Sequence, residues 1–129
     1  KLPYLEGWND QRRANATDYA QLLSDIEEVI APETADYAEH VYHLYVVRVP
    51  RRDQLKAHLQ QRGVGVGIHY PVPCHLQPAF QSLGYERGEL PVTEQIADEI
   101  LSLPMYPELT AEQRIEVVDA IRDFYDSAR

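Results

Sequence analysis

A chain of 129 residues with 44% hydrophobic content is long enough for one packed core and too apolar to be disordered. Its formal net charge is −9, with 21 acidic against 12 basic residues, and its nearest thing to a basic run is Arg51-Arg52, which argues against a nucleic-acid partner. Cys74 is the sole cysteine, so no internal disulfide is possible; a reducing, cytoplasmic setting is expected, and no apolar run approaches the ~20 residues of a membrane span.

In chain order, Pro3 to Ser24 is predicted as a helix. Leu5, Trp8, Arg12, Tyr19, Leu23 and Ile26 recur at helical spacing, and Asp10, Gln11, Arg13, Asn15 and Asp18 form the opposite face. Residues 31–36 read as a loop. Val41 to Val49 (VYHLYVVRV) is the clearest strand, apolar on both faces in its middle and closed by Pro50, as a central strand covered on each side would be. A helix follows from about Arg52 to Arg62, with Leu55 and Leu59 inward and Gly63 just past its end. Val64 to Ile68 (VGVGI) reads as a second strand whose glycines permit a close approach.

His69 to Gln77 (HYPVPCHLQ) is expected to be irregular, because Pro71 and Pro73 each remove a donor and fix φ. Pro78 to Leu83 is predicted as a short helix and Gly84 to Glu89 as a turn. Pro91 opens a further helix with an inner stripe of Val92, Ile96, Ile100 and Leu103, and Leu101 to Met105 is expected to finish as a strand that Pro104 confines to an edge or an end. Thr110 and Gln113 fit a capping box for a last helix that buries Ile115, Val118, Ile121 and Tyr125 and frays through Ser127 to Arg129. Together these predict an α+β fold, a small, mainly antiparallel sheet flanked by helices, spanning residues 1–129 as one domain.

The HYPVPCHLQ loop carries the densest set of chemically capable side chains. Two prolines stiffen it and a predicted strand anchors it, which suits a binding loop; a proline-stiffened connector with scattered polar groups is the simpler alternative. No metal site is expected: His40 and His43 face opposite sides at their spacing, and His40 and His58 suit structural roles. Adjacency of Cys74 and His75 does not make a thiol–imidazole pair, and the Glu27/Glu28 and Glu86/Glu89 clusters suit solvated surfaces. Only Lys1 and Lys56 are lysines. Lys1 is terminal and Lys56 lies on the polar side of an amphipathic helix, so neither suits Schiff-base chemistry.

Four stretches carry a resemblance: KLPYLEGWNDQRRANA, VYHLYVVRVPRRDQLKAHLQQRGV, GIHYPVPCHLQPAF and LPVTEQIADEILSLPMYPELTAEQ. In these, the chain resembles the C-terminal part of the DegT/DnrJ/StrS-type aminotransferases, pyridoxal-phosphate enzymes that aminate keto groups of nucleotide-linked sugars. The resemblance implies the C-terminal small domain of a fold-type I enzyme. The large cofactor-binding domain and its Schiff-base lysine would precede Lys1, consistent with a chain that opens Lys-Leu-Pro without an initiator Met. The fragment alone would be inactive.

By the same match His69 and Tyr70 are expected to bind the nucleotide-sugar, while His75 and Gln77 shape the loop or an interface. Cys74 stands where the family usually has an apolar residue, and Arg51 is a poor N-cap where relatives often have a better one. Glutamate is the implied amino donor, and a homodimer the implied assembly. Two readings compete: a stand-alone small-molecule-binding or assembly domain, and a relative without the catalytic lysine that has become regulatory.

Overall fold

The computed structural model describes residues 1–127. Among the described residues, four α-helices and two strands form in the order α1 (Leu5–Leu23), β1 (Tyr45–Arg48), α2 (Arg52–Gln61), α3 (Pro91–Glu99), β2 (Ile100–Leu103) and α4 (Ala111–Asp126). Short 3-10 turns occupy Leu2–Tyr4, Cys74–Leu76 and Pro78–Leu83. The expected α+β class holds.

The sheet is smaller than its sequence pattern suggested. β1 and β2 pair antiparallel with Tyr45 opposite Leu103 and Val47 opposite Leu101. Residues directly opposed in an antiparallel pair share a face, so these four form the core side, and all are at most 3% exposed. Single bridges extend the sheet on each side, Ile30 to Arg48 and Gly67 to Ser102. The predicted strand over 64–68 is therefore reduced to one bridge at Gly67.

β1 begins only at Tyr45 for a local reason. Tyr42 has φ 48°, outside the extended region, and the Arg12 guanidinium donates to the carbonyls of Tyr42, His43 and Met105. A left-handed residue at Tyr42 turns the chain out of an extended ladder just before β1. Moreover, Val46 and Arg48 are half-buried, so β1 is fully covered on one face, not two.

Helices cover the core face. α1 and α2 both pack on α4, α2 also touches β2, and α3 lies against β1. Tyr19 and Leu23 of α1, Leu55 and Leu59 of α2, and Val118, Ile121 and Tyr125 of α4 meet the strands there. Burying each such side chain contributes roughly 1.5–3 kcal/mol. Gly63 follows α2 with φ 79°, as its position past the helix end requires. Thr110 and Gln113 close a reciprocal capping box on α4.

Several expected faces are corrected. On α1 the buried residues are Asn15, Ala16, Tyr19 and Leu23, while Leu5 is exposed. Asn15 was assigned to the polar face, yet it donates to the Tyr106 and Pro107 carbonyls and accepts from Arg114. On α3, Val92 is exposed, Ile96 half-buried, and the inward positions are Glu94 and Ala97; Ile100 and Leu103 belong to β2. On α4, Ile115 is exposed and Arg114 and Val117 take the inner side. Beyond Ser127, the expected fraying lies outside the described residues.

Candidate functional site

The segment from His69 to Leu90 leaves the sheet at Gly67 and returns to it through α3 and β2. It is a long arm built from prolines and 3-10 turns, with Cys74–Leu76 forming one of these turns inside the stretch expected to be irregular. Such a segment keeps its shape only if it is tied at points along its length. Two ties do this.

The first is His69, whose Nδ1 lies 2.9 Å from the Ser102 hydroxyl of β2. Ser102 is buried, but His69 is exposed, and Tyr70 beside it is 72% exposed. Their rings meet edge-on with centroids 5.7 Å apart. The peptide bond between them is cis.

The second tie is Glu94 on α3. Its carboxylate accepts from the backbone N–H of Gly88 at 2.8 Å and of Leu90 at 3.4 Å, and contacts His75 Nε2 at 3.1 Å. Both Glu94 and His75 are buried, and Arg87 approaches at 4.0 Å. The Gly88 amide above all, then His75 and the Leu90 amide, hold the carboxyl below its usual range against the opposing effect of burial. His75 thus fastens the middle of the arm to α3. Gln77 adds a long bond from its side-chain amide to the Val72 carbonyl at 3.4 Å, within the arm itself.

The four residues singled out by sequence therefore fall into two places. His69 and Tyr70 stand exposed at the sheet end of the arm. His75 and Gln77 line a hollow of about 360 Å³ farther along it, with Gln81, Tyr85 and Arg87. Sequence reading missed Glu94 and Ser102. Glu94 lies opposite the apolar stripe predicted for its helix, and nothing local marked Ser102.

Other chemically capable residues are occupied elsewhere. His40 Nδ1 accepts the Tyr42 amide at 2.7 Å, and His58 packs its ring 5.4 Å from Phe124. Arg51 lies over the Phe124 and Tyr125 rings at 4.7 and 5.4 Å. Arg52 is buried and donates to the carbonyls of Ala97 and Ile100. Arg51 starts α2 with φ 53° and no side-chain cap, in keeping with its description as a poor N-cap. Cys74 is exposed while His75 is turned to Glu94. Among the described residues, no cluster of three or more His, Cys, Asp or Glu is arranged to hold a metal ion, and no helix is long and apolar enough to cross a membrane.

Residues 1–122, the arm and both of its ties included, match the model of the DegT/DnrJ/EryC1/StrS aminotransferase family. The chain belongs to that family. A pleiotropic regulatory protein of Geobacillus stearothermophilus is 46% identical over 97% of this chain and 34% of its own length. A dTDP-3-amino-3,4,6-trideoxy-alpha-D-glucose transaminase of Streptomyces venezuelae is 40% identical over 96% of this chain and 33% of its own. Among solved structures, S. venezuelae DesV superposes with a TM-score of 0.91 at 41% identity, covering 95% of this chain and 33% of that one. The chain spans about a third of the length of these relatives.

Pyridoxal phosphate, the cofactor such aminotransferases use, needs a lysine amine for its aldehyde and a cradle for its phosphate. Here Lys1 is exposed beside a 3-10 turn, and Lys56 sits half-buried on α2 next to the buried Leu55, outside the arm. The residues of this chain do not fit as the cofactor's anchor.

Proposed function

We propose that residues 1–129 are the C-terminal small domain of a pyridoxal-phosphate aminotransferase that aminates a keto group on a nucleotide-linked sugar. The family match over residues 1–122, together with a transaminase relative of which the chain spans a third, supports this reading. The cofactor is then held by residues outside this chain, and the chain alone is inactive. Glutamate as amino donor, a homodimeric assembly and a cytoplasmic location belong to the same proposal. The single cysteine, incapable of an internal disulfide, is in keeping with that location.

His69 and Tyr70 are the residues of this chain that meet the nucleotide-sugar. The observation that carries this role is their exposure at the end of an arm that His69 itself ties to Ser102 and that Gly88 ties to Glu94 farther along. A His69 ring N–H held this way loses little freedom on binding an oxygen of the diphosphate or sugar, and the Tyr70 phenol stands beside it. His75 and Gln77 hold the shape of the arm. In the full-length enzyme, His69→Ala and Tyr70→Phe are each expected to raise KM for the nucleotide-sugar several-fold, roughly the loss of one hydrogen bond. Unchanged kinetics in both variants would remove them from the site.

A regulatory role is the second reading, favoured by the name of the Geobacillus relative. It predicts a full-length protein without a cofactor-bearing lysine.

A further inference from the structure

His69 owes its position to one residue remote in sequence, Ser102, and to one just before it, Gly67. Ser102 lies in the middle of β2, 33 residues away, with 4% of its surface exposed. On β2 its neighbours Leu101 and Leu103 face the helical core, so Ser102 faces the other side of the sheet. There its hydroxyl meets His69 Nδ1 at 2.9 Å. Gly67 is bridged to the same Ser102 through both backbone groups, at 3.2 and 2.8 Å, which sets the spacing between the two segments. A Cβ on Gly67 would stand 2.8 Å from His69 Cε1, closer than packed carbons tolerate, so the imidazole occupies the space that this glycine leaves empty.

We infer that Ser102 and Gly67 are positioning residues for His69: the serine hydroxyl donates to Nδ1 and fixes the tautomer, and the glycine makes room for the ring, so that Nε2–H is the group offered to a ligand oxygen. The ligand part of this inference rests on the substrate-binding role proposed for His69. The remaining observation in its favour is that Nε2 makes no hydrogen bond among the described residues while Nδ1 is taken. A neutral imidazole that accepts at one nitrogen must donate at the other. Without the serine, the two tautomers compete, and only one of them offers a donor at Nε2.

The test uses the full-length enzyme labelled with nitrogen-15 in its histidines. In the wild type, the neutral His69 ring is expected to show a proton-free Nδ1 and a protonated Nε2. Ser102→Ala is expected to mix the tautomers and to raise KM for the nucleotide-sugar roughly fivefold with kcat unchanged. Ser102→Thr, which keeps the hydroxyl, is expected to restore both readings. Gly67→Ala displaces the ring and gives the same KM defect with the serine intact. A ring signature that is unaltered in Ser102→Ala, or a wild-type ring protonated at Nδ1, overturns the positioning whatever the kinetics do. Should the signature change while His69→Ala leaves KM untouched, the positioning stands and the substrate role of His69 falls.

Discussion

Glu94 sits on the inward side of α3, where the apolar pattern pointed to Val92 and Ile96, because donors from the arm converge on it. Two backbone amides and the His75 ring reach its carboxylate, and a buried carboxylate so served is held ionised. Its folded pKa lies below its unfolded one, so the tie is at full strength above the unfolded carboxylate value of about 4.3. It weakens as pH falls through the folded value. Hydrogen exchange of the Gly88 and Leu90 amides in the full-length protein should therefore show protection that is constant above about pH 5 and declines in acid. In Glu94→Gln, protection should be lower and nearly independent of pH. Equal protection in the two proteins at neutral pH would contradict this account. Other buried polar residues were hard to read because their partners are remote. Asn15 and Arg114 are 99 positions apart, and Arg52 serves carbonyls 45 and 48 positions away. A polar residue at such a position looks solvated until the fold brings its acceptor to it.

Elements were legible to the extent that local chemistry decides them. The capping box needs only residues 110–113, and the structure forms both of its bonds, with Gln113 also receiving the Tyr106 hydroxyl. Thr110→Ala should cost about 1 kcal/mol, read from hydrogen exchange of α4, and an unchanged exchange free energy would refute the cap's contribution. Pro78–Leu83 and the end of α2 were likewise set by proline and glycine. Strand length was not, since it depends on backbone turns the residues do not announce. Tyr42, with φ 48°, lies outside the extended region, and β1 is four residues long. Arg12, read as part of an apolar stripe, donates to the Tyr42 and His43 carbonyls. At 64–68 the alternation with glycine suggested a strand, but only Gly67 bridges. The glycine signal was real: the Ser102 backbone bridges Gly67, and the His69 ring fills the space its missing side chain leaves.

As a whole, the molecule has a core of helices on one sheet face and an arm whose apolar side chains are open to solvent. Phe80, Leu83 and Tyr85 on the arm are exposed, as are Leu2, Tyr4 and Leu5 at the start of the chain. So much apolar surface outside the core suits a unit that packs against further protein. The family was legible because the four matching stretches run through α1, β1 with α2, the arm, and α3 with β2, within the residues 1–122 that the family model matches. The cofactor's anchor could not be found among Lys1 and Lys56 either in the sequence or in the fold. The most direct test of the account is borohydride reduction of the full-length native protein with pyridoxal phosphate, followed by peptide mass mapping. A pyridoxyl-lysine on a peptide preceding Lys1 is the predicted result. A full-length protein with no labelled lysine, or with the label on Lys56, would contradict the assignment of this chain as the small domain of an active aminotransferase.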